Sequence, residues 1–121
     1  MAKQQKIGKL GEDIACQFLI NLGYNIQERN WRYSKAEIDI IAMDGNILTF
    51  IEVKAKSYTF FGDPEESVSA YKERLIIDAA NRYMSLIGHT WEIRFDIVSV
   101  LFDKQLNPKI THLKDAFFPG I

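Results

Sequence analysis

Two amphipathic stretches with helical spacing, and four or five short strand-like runs between and after them, predict an α/β fold of order α-β-β-β-α-β with an additional last strand. The expected architecture is one mixed sheet with helices packed on it. The chain has 121 residues, 47% of them hydrophobic, with seven Gly and three Pro, which suits a single domain over 1–121 built on one core. Eight Phe, five Tyr and two Trp are too many for a disordered chain.

The first helix is predicted over Ile7 to Leu22, where apolar residues fall at 7, 10, 14, 15, 18, 19 and 22, with Gly23 as its stop. Glu12 lies at the margin of that apolar stripe and half-faces the interior, whereas Asp13 points to water. Tyr24 to Tyr33 reads as a strand broken near Arg29 and Asn30. Glu37 to Met43 and Ile47 to Ala55 read as a hairpin turning at Asp44-Gly45. Lys56 to Glu66, with Gly62, Asp63 and Pro64, is expected to be a loop. The second helix runs from an N-cap at Ser69 to Ile87, with Gly88 as its stop. Trp91 to Phe102 is then a strand reached by a helical crossover and so parallel to the one before it, and Ile110 to Leu113, after Pro108, is a short edge strand.

No stretch is long and uncharged enough for a membrane span, and Gly11, Glu12 and Asp13 stand where a signal peptide would need its apolar segment. One cysteine, Cys16, allows no intrachain disulfide, and with His89 and His112 far apart it forms no zinc-binding spacing. A cytoplasmic location is expected. Fifteen Lys and Arg against sixteen Asp and Glu, a formal charge of −1, give no overall basic field, so any nucleic-acid contact must use a local patch.

The hairpin carries the chemistry. A two-residue turn at Asp44-Gly45 would pair Met43 with Asn46, set Asp39 opposite Phe50 and Glu37 opposite Glu52, and project Glu37, Asp39, Glu52 and Lys54 from one face. Asp39 and Glu52 interrupt apolar runs, and buried carboxylates need a partner. A divalent ion fits between them. Mg²⁺ or Mn²⁺ prefers such oxygen donors, with Lys54 placed to hold water or to neutralise charge on a phosphate. The alternative is a structural network in which Lys54 pairs with Glu52 or Asp39. Lys72 lies in the middle of the second helix's apolar stripe, in line with Ile76, Ala79 and Tyr83. It either points to the carboxylates or a phosphate, or snorkels into solvent.

Gly8-x-x-Gly11-Glu12-x-x-Ala15, Gly23-Tyr24, Asn30-x-Arg32, Glu37-Ile38-Asp39-Ile40-Ile41, Phe50-Ile51-Glu52-Val53-Lys54, Phe61-Gly62-x-Pro64, Lys72, Arg94-Phe95-Asp96 and Ala116-Phe117 together resemble the YraN family. Those bacterial proteins are assigned to the restriction-endonuclease-like fold and stand near the archaeal Holliday-junction resolvases. The resemblance implies an αβββαβ core. It also implies a metal-dependent nuclease acting on DNA, branched DNA included, and a homodimer by analogy with resolvases. In that reading Glu12, Asp39, Glu52 and Lys54 are catalytic. Asp39 and Glu52 bind Mg²⁺ or Mn²⁺, Glu12 orients water or a second ion, and Lys54 stabilises the transition state. Ala36 and Ala55-Lys56 depart from the family's usual Gly and Thr-Arg, and Lys56 offers a phosphate only a point charge.

Lys3, Lys6 and Lys9 form a basic cluster, and Arg29, Trp31, Arg32, Tyr33 and Lys35 alternate cations with aromatics. Lys6, Lys9, Arg32, Lys56 and Lys72 are the candidate nucleic-acid contacts. Trp31 and Tyr33 read better as core aromatics. For the Lys56 to Glu66 loop with Tyr58, Phe60 and Phe61, substrate contact and dimer contact are equally open. Cys16, His89 and His112 read as structural. The competing function is a non-catalytic module that keeps the fold to bind nucleic acid or a protein.

Overall fold

The computed structural model describes residues 2–58 and 69–117. Its elements are α1 (Ala2–Asn21), β1 (Asn25–Tyr33), β2 (Ala36–Asp44), β3 (Ile47–Lys56), α2 (Ala70–Ile87), β4 (Ile93–Phe102) and β5 (Pro108–Leu113). The strands form one sheet in the order β1-β2-β3-β4-β5. Neighbours are antiparallel except β3 and β4, which run parallel because α2 carries the chain back across the sheet. This is the expected α/β arrangement, a mixed sheet flanked by helices and compatible with a restriction-endonuclease-like core. Among the described residues no helix is long and apolar enough to cross a membrane.

Helix ends follow the local chemistry. Ser69 caps α2 by accepting the Lys72 N–H on its side chain, and Gly88 ends it at φ 72°, its own N–H donating to the Met84 carbonyl. Each helix covers one face of the sheet. Ile76, Ala79, Ala80 and Tyr83 of α2 bury Ile38, Ile41, Phe50 and Phe95, while Ala15 and Leu19 of α1 bury Ile40, Ile51, Val98 and Phe102. Gly11 lets α1 sit directly on β3, for a Cβ there would overlap the Ala55 methyl.

The β2–β3 hairpin departs from the expected register. Asp44 pairs with Ile47 and Ile40 with Ile51, so the turn residues are Gly45-Asn46 and not Asp44-Gly45. Gly45 takes φ 60° and Asn46 has no positive φ, a turn with glycine at its first central position. Moving the turn by one residue shifts the pairing by two. Extended from Ile40 and Ile51, this register sets Asp39 toward Glu52 instead of Phe50. A shift of two preserves faces, whereas a shift of one would have separated the carboxylates.

A second irregularity acts at Asp39 itself. Ile38 packs on the α2 face and Ile40 on the α1 face although they are two residues apart, so the strand's alternation breaks between them. Across the β1 ladder this break lies beside Asn30, which has φ 53°. Asp39 turns toward β3, where its Oδ2 accepts the Val53 N–H at 2.8 Å. The β2–β3 pairing ends at Ile40 and Ile51, and a cleft opens beyond it.

Candidate functional site

Four of the side chains singled out from the sequence meet around that cleft. It is open, of about 310 Å³, and lined by Gly8 and Glu12 of α1, Asp39 of β2 and Val53, Lys54, Ala55 and Lys56 of β3. Close seating of Gly11 on Ala55 brings the next residue, Glu12, to the rim. Glu52 is 5% exposed and stands against Asp39. Burial first, then the charge of Glu52 and a hydrogen bond to it, push the Asp39 carboxyl up from its ordinary 3.8 to about 8, although the Val53 N–H pulls the other way. The Asp39 carboxyl therefore keeps its proton near neutral pH.

Glu12 is fixed by Arg29, whose Nη2 lies 3.2 Å from Glu12 Oε1 and 2.8 Å from Asp13 Oδ1. Lys54 is partly buried in the cleft lining and makes no ion pair with a described residue. The structural alternative, in which Lys54 pairs with Glu52 or Asp39, is thus not what the structure shows. That place is taken by Lys72, whose Nζ pairs with Glu52 Oε2. Burial alone would lower the Lys72 ammonium, but Glu52, with Asp39 and Glu37 behind it, outweighs burial and lifts it. Among the described residues no three Asp, Glu, His or Cys side chains converge closely enough to hold an ion by themselves. Two carboxylates and a rim acid are what the fold supplies.

The family model described as "Uncharacterised protein family UPF0102" matches residues 11–100. A UPF0102 protein of Flavobacterium psychrophilum is 44% identical over 118 residues, covering 98% of each chain. The chain belongs to the UPF0102 (YraN) family. A UPF0102 protein of Bacteroides thetaiotaomicron is 41% identical over 121 residues, covering 100% of this chain and 99% of its own. One from Rhodococcus jostii is 37% identical over 118 residues, covering 97% and 100%. The matched residues contain Glu12, Asp39, Glu52, Lys54 and Lys72 and every residue of the cleft lining but Gly8.

The remaining candidates are scattered. Lys6 and Lys9 are exposed on α1, and Lys9 lies 3.9 Å from Asp13. Arg32 is exposed and pairs with Glu37 at 2.8 Å. Glu37, expected beside the carboxylates as a supporting group, pairs with Arg32 of β1 and adds negative field at Lys72. Lys56 lies in the cleft lining. Trp31 packs edge-on to Tyr83 at 5.2 Å against the core, as expected, whereas Tyr33 stacks on Trp31 at 6.4 Å from an exposed position and is not a core aromatic. The Lys3 side chain and residues 59–68, with Phe60, Phe61 and Pro64, lie outside the described residues. A roomier hollow of about 420 Å³ between the β1–β2 turn and α2 has, among the described residues, Asp78 and Arg82 as its charged groups.

Two groups escaped the sequence reading. Arg29, read only as one of the cations alternating with aromatics, positions Glu12. The signal was an acidic pair, Glu12-Asp13, on the helix that precedes the strand carrying it. The other is a buried ionic network. The Arg94 guanidinium donates to both Asp96 oxygens at 2.8 and 2.9 Å, to Asp44 at 3.0 Å and to the Tyr24 hydroxyl at 2.7 Å, and His112 lies 2.7 Å from Asp96. Two opposite charges at i and i+2 in an apolar strand were its signature.

Proposed function

We propose that this chain hydrolyses phosphodiester bonds of DNA, with Mg²⁺ or Mn²⁺ held by Asp39 and Glu52. The observation that carries this is the contact between the buried Glu52 carboxylate and the half-buried Asp39 carboxyl, which lines an open cleft that also presents Glu12, Lys54 and Lys56. The donors fit the ion. Mg²⁺ takes one or two carboxylates and completes its shell with water and phosphate oxygen, so it does not require a third protein ligand. Bound there, it would polarise the phosphodiester and offset the charge that builds on it.

The chain's own groups supply the rest. Asp39 gives up its proton to become a ligand, and the Val53 N–H keeps one of its oxygens in place. Glu12, steadied by Arg29, is set to orient the attacking water or to join a second ion. Lys54 is a compact ammonium able to neutralise the pentacovalent phosphate, and Lys56 a second positive charge for the strand's backbone. Lys6, Lys9, Arg32 and Lys72 are further candidate phosphate contacts. Resemblance to resolvases adds branched DNA as substrate, a homodimer that would bring two clefts to two strands, and the cytoplasm as compartment.

A second reading is a non-catalytic binding module. It is favoured by the Lys72–Glu52 and Arg29–Glu12 pairs, which satisfy acidic groups without an ion. Incubation of linear, flapped and four-way DNA with Mg²⁺ or Mn²⁺ separates the two. Wild type is expected to cut at least one of them, and Asp39→Asn and Lys54→Ala to cut about 10²-fold or more slowly. If no substrate is cut and the variants bind DNA as well as wild type does, the binding module stands instead.

A further inference from the structure

Among the described residues Glu52 has one cationic partner, and its two ends are differently free. The Glu52 side chain is 5% exposed, while that of Lys72 is 49% exposed. The Lys72 backbone is fixed in the first turn of α2, its N–H donating to Ser69 Oγ at 3.2 Å, so its ammonium can leave by bond rotation in the stem without moving the helix. A buried carboxylate needs a partner at all times. An ammonium and a divalent ion cannot share one carboxylate without strong repulsion. The residue type also matters. Lysine offers a single-point contact, whereas arginine would grip a carboxylate with two hydrogen bonds and give it up less readily.

Resting on the reading of Asp39 and Glu52 as the metal site, we propose that Lys72 is the counter-cation of the ion-free state. Its ammonium holds Glu52 until a divalent ion displaces it, and once released it is available to an anionic phosphate of the substrate. Lys72 therefore sets the threshold of metal concentration at which the site fills. It acts through Glu52 and is a positioning residue.

Calorimetric titration of Mn²⁺ into wild type, Lys72→Met, Lys72→Arg and Glu52→Gln tests this. Affinity is expected to fall in the order Met, Lys, Arg at position 72, with Lys72→Met about tenfold tighter than wild type and Glu52→Gln without binding. Because Lys72→Met leaves Glu52 without its cationic partner, its melting is followed in parallel. Without metal it should melt below wild type, and Mn²⁺ should raise its Tm by more than it raises that of wild type. Mn²⁺ binding to Lys72→Met that is equal to wild type or weaker would overturn the counter-cation role while leaving the metal site intact. Absence of both heat and melting gain in wild type and Lys72→Met would overturn the metal site, and this role with it.

Discussion

At Asp39 burial, a neighbouring carboxylate and one backbone donor act on the same few atoms, and the first two win. With the folded value near 8 and the ordinary one at 3.8, the native chain keeps a proton that the unfolded chain has released between those pH values. The stabilisation is complete below the ordinary value and is lost as pH rises through about 8. Asp39→Asn has no such slope. Thermal melts between pH 5 and pH 8.5 should therefore show the variant gaining on wild type as pH rises, and parallel curves would contradict the raised Asp39 value. Since an ion must displace that proton, Mn²⁺ affinity of wild type should rise over the same interval. The acidic residues were legible because each interrupted an apolar run. The in-plane turn of Asp39 was not, because it depends on an alternation break beside a positive-φ Asn30 on another strand.

Among the elements, the two helices and their stops at Gly23 and Gly88 could be read from periodicity alone, as could the crossover strand β4. The hairpin was found but misregistered, since Asp44-Gly45 and Gly45-Asn46 both place glycine where positive φ is tolerated and only the packing of Ile40, Ile51 and Leu48 decides between them. Helix-to-sheet distance was likewise hidden, because a glycine in a helix does not announce what it faces. Gly11→Ala tests that contact. Forcing a methyl against Ala55 should cost about 1–3 kcal/mol in urea unfolding. It should also weaken Mn²⁺-dependent cleavage by moving Glu12 outward, whereas Gly8→Ala, with open space around it, should leave both unchanged.

On the scale of the molecule, ionic groups divide between two sites at opposite ends of β2. Around Arg94 and Asp96 the network joins β4 to Asp44 of β2, Tyr24 after α1 and His112 of β5, and the Asp115 N–H adds a bond to Asp96 at 3.2 Å. Burial would raise the Asp96 carboxyl, but His112 and Arg94 outweigh it and hold it below its ordinary value. Its contribution to stability is thus present above the ordinary carboxylate value and lost as pH falls through the lowered one. Arg94→Met, which takes the guanidinium away from a fully buried Asp96, should cost about 3–5 kcal/mol in denaturant unfolding at pH 7. A loss under about 1 kcal/mol would show the network to be dispensable. Around Asp39 and Glu52 the charges are instead arranged so that two acids crowd together, which lowers stability and leaves room for a cation. The most direct test of that contrast is anomalous scattering from crystals of the wild-type chain soaked in Mn²⁺. The expected result is one strong peak about 2.0–2.3 Å from carboxylate oxygens of both Asp39 and Glu52, and its absence in Asp39→Asn. A cleft without a peak, with Lys72 still seated on Glu52 at saturating Mn²⁺, would contradict it.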